Sequence, residues 1–182
     1  VVDGRGLFST ASKPELAYIG LLSRSHAPHV LLKADGTRPT QIIPVIKLAE
    51  ANKRPANYSR LDPEPELRTV RSYLSTAAVR LNADYHWTAD NIYGVDWHSN
   101  ASSLQGSIAG IRAPTLVMAA SCAPHLVLLE IAYDRSPAAD REFLGVEGAD
   151  HGFNPCKPEY GDTFKRAFDY VDSWLMKPGR LF

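Results

Sequence analysis

The clearest hydrophobic pattern lies in the last third of the chain. Pro114-Thr-Leu-Val-Met-Ala-Ala120 is a short, unbroken apolar run, as expected of a strand buried on both faces of a parallel sheet. Leu126, Leu129 and Ala132 or Tyr133 then recur at helical spacing, with Ser121 placed to cap that helix and Pro124 suited to its first turn. Arg135 to Asp140 form a polar connection, and Glu142 to Val146 form the next strand, stopped by Gly148. A final helix starts near Asp162 with an apolar stripe of Phe164, Ala167, Phe168, Val171, Trp174 and Leu175, and Pro178 and Gly179 end it. Strand, helix, strand, helix in this order predicts βαβ units, hence an α/β fold whose parallel sheet is covered on both faces.

The first 110 residues repeat less regularly. His29-Val-Leu-Leu-Lys-Ala34 reads as a similar strand, followed by an Asp35-Gly36 turn and a helix through Ile43, Ile46 and Leu48 to Ala51. From residue 52 to 110 the chain is expected to make a cap-like excursion from the sheet, because Asn52 to Pro65 holds three prolines among polar residues. Within it, Asp62 caps a helix with Pro63 and Pro65 in its opening turn and Leu67, Val70, Leu74, Ala77 or Ala78, and Leu81 on one face. Tyr85 to Ser107 carries aromatics and turn formers without a clear period and is expected to be irregular.

Composition narrows the functional classes. The chain has 182 residues, 45% hydrophobic and 22% charged, enough to bury one core as a single domain over 1–182. Twenty basic residues balance twenty acidic ones, so no net field draws it to nucleic acid or to an anionic membrane, and a small molecule is the expected partner. No apolar run reaches the roughly 18 residues that a membrane span needs. Val1-Val2-Asp3-Gly4 reads like a strand entered midway, so a fragment or processed chain is expected.

The chemistry concentrates at Val146-Glu-Gly-Ala-Asp-His151-Gly-Phe, a strand end and small-residue turn that present a histidine just past the strand. Reacting groups gather at the carboxyl ends of strands in open parallel sheets. An imidazole with a pKa near ~6.5 there can accept and return a proton at neutral pH. A loop histidine bonded to backbone is the plainer alternative. The strand opening with Pro114, Gly-Ala-Asp-His151, and the closing helix ending in Trp174-Leu175 together resemble the last two strands and terminal helix of the α/β-hydrolase family. The resemblance covers roughly residues 111 to 176, with the Asp35 strand and the excursion fitting a preceding strand and cap region more loosely.

That resemblance implies a serine-type hydrolase of esters or amides acting by acyl transfer, with His151 as general base. The family's Gly-x-Ser-x-Gly elbow is missing from these residues, since Gly106-Ser-Ile-Ala-Gly110 has its serine in the wrong place. The nucleophile and oxyanion donors are therefore expected upstream, and the chain alone should be inactive. Where the resemblance places the acid after the penultimate strand, this sequence has Ala123. Asp35, ending the earlier strand, is the first substitute, although Asp-Gly is also a common turn pair. Glu130 is the second, against the alternative of a solvated helix-face carboxylate. Asp150 is expected to shape the turn. A non-catalytic binding protein of the same fold is the rival reading, and Ala123 favours it.

The resemblance also makes the last two strands neighbours, which would bring Cys122 and Cys156 to one end of the sheet. A disulfide there would close a loop of about 35 residues, contribute about 3 to 4 kcal/mol and favour an oxidising compartment, hence secretion; two free buried thiols are the alternative. The sequons Asn57-Tyr-Ser59 and Asn100-Ala-Ser102 agree with secretion. No cofactor is expected. Asp96 and His98 alternate on an extended segment, and His26, His29, His86 and His125 are scattered, but no helical His-x-x-x-His or Cys-x-x-Cys pair argues for a metal. Trp87, Tyr93 and Trp97 could line a substrate pocket or simply belong to the core.

Overall fold

The computed structural model describes residues 7–9, 24–46, 67–69, 78–123 and 125–180. Three parallel strands form its centre: β2 (His29–Leu32), β7 (Thr115–Ala120) and β8 (Arg141–Val146). They lie in the order β2-β8-β7, and β3 (Thr40–Gln41) extends the sheet antiparallel beyond β2. The last strand is thus the middle one, with Val30 and Met118 both opposite Leu144. Two further pairs are antiparallel: β1 (Leu7–Ser9) with β4 (Leu67–Thr69), and β5 (Arg80–Trp87) with β6 (Ile92–Asp96).

The period of two along each central strand builds two cores. Leu31, Val117, Ala119 and Phe143 face one side, where α2 (Leu126–Arg135) contributes Leu126, Val127 and Ile131. Leu32, Ala120, Leu144 and Val146 face the other, where α3 (Thr163–Leu175) contributes Ala167, Tyr170 and Trp174. With both faces covered, the strands are apolar beyond their opening residues His29, Thr115, Arg141 and Glu142, which is why they read as apolar runs. Each large side chain so buried contributes roughly 1.5–3 kcal/mol.

Several expected elements take another form. Up to Val45, β3 and an extended segment stand where the helix was expected after Asp35-Gly36, while Ile46 is helical: Ile43 is held by Ser25, whose N–H donates to the Ile43 carbonyl (2.9 Å) and whose Oγ accepts the Ile43 N–H (2.8 Å). Ile43 and Val45 are buried by alternation, a period that Pro44 between them already favours over a helix. Leu48 to Ala51 lie outside the described residues.

The helix expected from Asp62 to Leu81 is contradicted at Leu67–Thr69, which pair with Leu7–Ser9, and at Leu81, which sits in β5. Asn52 to Pro65, Val70, Leu74 and Ala77 lie outside the described residues. Tyr85 to Ser107, expected to be irregular, holds the β5–β6 hairpin, a 3-10 turn at Trp97–Ser99 and the short helix α1 (Leu104–Ser107). Tyr85, Trp87, Val95 and Trp97 pack against the core under α2.

Ser121 does not cap α2. That helix starts at Leu126, while Ser121 is buried and its Oγ accepts the Gly148 N–H at 2.8 Å; Pro124 lies outside the described residues. Asp162 does cap α3, accepting the Lys165 N–H at 2.8 Å. The helix buries Ala167 and Trp174 of the expected stripe but adds Thr163 and Tyr170 in place of Phe164 and Phe168, which stay about half exposed with their rings 4.5 Å apart. Polar ties fix this rotation: the Tyr170 hydroxyl donates to Glu142, and Arg166 donates to the carbonyls of Glu147 (2.6 Å) and Tyr160 (3.1 Å).

A candidate active site at the carboxyl ends of the strands

Three turns meet where the parallel strands end, at residues 33–36, 121–123 and 147–156. Backbone bonds lock them together. Glu147 N–H reaches the Leu32 carbonyl (3.0 Å), Ser121 N–H the Val146 carbonyl (3.1 Å) and Cys122 N–H the Ala149 carbonyl (2.9 Å). Gly148, at φ 72°, is required here, because a Cβ would fall 1.9 Å from Cγ of Tyr160. The Cys122–Cys156 disulfide adds a covalent tie, with Cα atoms 6.4 Å apart.

His151 stands in the third of these turns. Asp150 builds it: Oδ1 accepts the N–H groups of Gly152 (2.9 Å) and Asn154 (3.0 Å), and its carbonyl accepts the Phe153 N–H (3.0 Å). The His151 side chain is exposed on one side and faces His125 on the other, with ring centroids 4.9 Å apart. Both rings open on a cavity of about 200 Å³ whose other walls are apolar. His125 occupies the N-cap position of α2 without capping it, which leaves its ring free for the cavity. Burial, and then the neighbouring His151, hold the His125 pKa below the ordinary imidazole value.

Neither proposed acid is hydrogen-bonded to His151 among the described residues. Asp35 lies beyond β2, two strands from β7, and its exposed carboxylate accepts the Thr37 N–H (2.9 Å) and hydroxyl (2.6 Å). Those bonds hold its pKa below the usual carboxylate value. Glu130 is fully buried on the opposite side of α2 from solvent. Its oxygens accept the N–H groups of His26 (2.8 Å) and Ala27 (3.0 Å), and His29 Nε2 lies 2.7 Å away. The ring of His26 adds Nδ1 at 3.0 Å from Glu130, outside hydrogen-bond alignment, and Nε2 at 2.8 Å from Asp134. Glu130 is therefore the anchor of the segment leading into β2, where a solvated helix face had been the alternative.

Other candidates find structural employment. Ser107 donates to the Ala101 carbonyl (3.0 Å). Asp96 accepts the His98 N–H (3.1 Å), while His98 Nε2 meets Arg135 at 2.6 Å; among the described residues no three potential ligands converge on a metal position. Trp87 and Trp97 join the core, and Tyr93 stacks on His86 at 4.6 Å. Asn100 is buried, its amide donating to the Ala78 carbonyl (2.8 Å), so the folded protein does not present that sequon; Asn57 lies outside the described residues. His125 is the site residue that sequence reasoning passed over as one scattered histidine. Its place just after the penultimate strand, facing the turn after the last one, was the available signal.

No helix among the described residues is long and apolar enough to cross a membrane. Comparison of the chain with protein-family models, with curated proteins and with solved structures gave no significant match.

Proposed function

We propose that the chain supplies the proton-transfer residue of a hydrolase acting on ester or amide bonds. His151 is the general base of an acyl transfer whose serine nucleophile is supplied by sequence outside these 182 residues. One observation carries the reading: His151 sits past the carboxyl end of the central parallel strand, at the mouth of an apolar cavity, and no hydrogen bond among the described residues occupies its ring nitrogens. A free imidazole at a strand end is the disposition that general-base work needs. Asp35 and Glu130, each committed to other donors, do not orient the ring in this reading; His125 is its neighbour instead.

A second reading, a binding protein without catalysis, is favoured by Ala123 and by the engagement of both carboxylates elsewhere. One experiment separates the two. In the gene product that carries these residues, His151→Asn is expected to lower hydrolysis of p-nitrophenyl esters by about 10²-fold or more, and a fluorophosphonate probe should label one serine. Equal rates without a labelled serine leave only the binding reading.

A further inference from the structure

We propose that the cavity beside His151 is the subsite for a compact apolar group flanking the scissile bond, of benzoyl or short branched acyl size. The inference deepens the hydrolase reading and rests on it. Six apolar side chains make the walls: Met118, Ala120, Ala123, Leu126, Leu129 and Phe153. An engineered cavity of about 150 Å³ lined in this way admits benzene. The present one, at about 200 Å³, has room for one ring and its carbonyl but not for a long alkyl chain.

Ala120 and Ala123 are small where larger residues would fill the space, and a carboxylate at position 123 would add a buried charge to it. Ala123 thus exchanges the acid for volume. Phe153 is the one non-glycine residue with positive φ (60°) among those described, a conformation costly for an aromatic residue. Thr163 pins it there, its hydroxyl donating to the Phe153 carbonyl at 2.7 Å. Strain of this kind persists where the surroundings enforce it and is concentrated at ligand sites. Here it puts the aromatic ring on the cavity wall. At the mouth, the depressed pKa of His125 keeps that ring uncharged at neutral pH, which suits an apolar ligand.

The test uses benzyl alcohol as probe and the ring Cε1–H signals of His125 and His151 as readout. Saturable shifts of both signals are expected in the wild-type protein. Leu129→Trp should abolish them with the backbone amide spectrum preserved elsewhere. Phe153→Gly, which removes a wall while relieving the backbone, should extend binding to 4-phenylbutan-1-ol at least several-fold. No saturable shift in the wild type, or shifts unchanged by both variants, overturns the subsite. A second series, p-nitrophenyl benzoate, butyrate and decanoate, keeps the two ideas apart. Binding with no His151-dependent hydrolysis would retain the subsite and sink the hydrolase reading. His151-dependent hydrolysis indifferent to acyl size would do the reverse.

Discussion

Glu130 offers the sharpest quantitative test of the fold. Its carboxylate is fully buried and accepts from two backbone amides, with the His29 imidazole 2.7 Å away. Glu130→Ala strands all three donors, and each buried group left unsatisfied costs about 1–3 kcal/mol. Three such groups together set an expected loss of about 3 kcal/mol or more for the alanine variant. Glu130→Gln keeps one acceptor oxygen but turns an NH₂ group toward one of the amides, and a loss of about 2 kcal/mol follows from one unmade bond. Urea unfolding monitored by tryptophan fluorescence, extrapolated linearly to water, measures both. A loss below about 1 kcal/mol for Glu130→Ala would refute the reasoning, because the carboxylate could not then be holding residues 26–29 to α2. Wild-type stability in Glu130→Gln with strongly reduced ester hydrolysis would instead return Glu130 to the catalytic role first expected of it.

Three further outcomes are expected. Replacing Cys122 and Cys156 by serine together should lower unfolding free energy by about 3 to 4 kcal/mol, the chain-entropy value for a loop of this size, with unchanged thermal stability as the contrary result. Phe153→Gly should be more stable than Phe153→Ala by about 1 kcal/mol, since both lose the ring but only alanine keeps a Cβ at positive φ; an alanine variant of equal stability would remove the strain argument. NMR titration should place the His125 pKa below the ordinary imidazole value and move it upward in His151→Asn, because His151 is one of its two causes. In the window between that depressed pKa and the unfolded value near ~6.5, the unfolded chain binds more protons. The His125 contribution to stability is therefore full above the window and declines as pH falls through it; a His125→Gln variant with the same pH dependence contradicts this.

The sequence displayed the sheet and its two covering helices because those segments carry a single uninterrupted signal. The later residues of Thr115–Ala120 and Arg141–Val146 are buried on both faces, and no competing period disturbs them. The β5–β6 hairpin was harder to see, although Leu81, Ala83, Tyr85 and Trp87 alternate cleanly with Asn82, Asp84 and His86. Leu81 also completed a plausible helical stripe, and the helical period was followed past its end. From Ile43 to Val45 the residues fit either period, and the contact of Ile43 with Ser25 decided for the extended one. At the site, His151 was legible from its strand end, but its neighbour His125 was not, because their proximity depends on two turns separated by a whole βα unit. The partners of the two carboxylates were not legible: sequence placed Asp35 and Glu130 near strand ends and helix faces, and only the fold reveals which donors they accept.

The central position of the last strand has a consequence for assembly. Ala34 and Glu147 are bonded across 113 residues, and among the described residues β2 and β7 each find their parallel partner only in β8. During synthesis, both earlier strands wait with unpaired edges until residue 146 has left the ribosome, so sheet formation depends on non-local closure. A chain stopped near residue 140 would keep those open apolar edges permanently, making it a candidate for self-association rather than a smaller working domain.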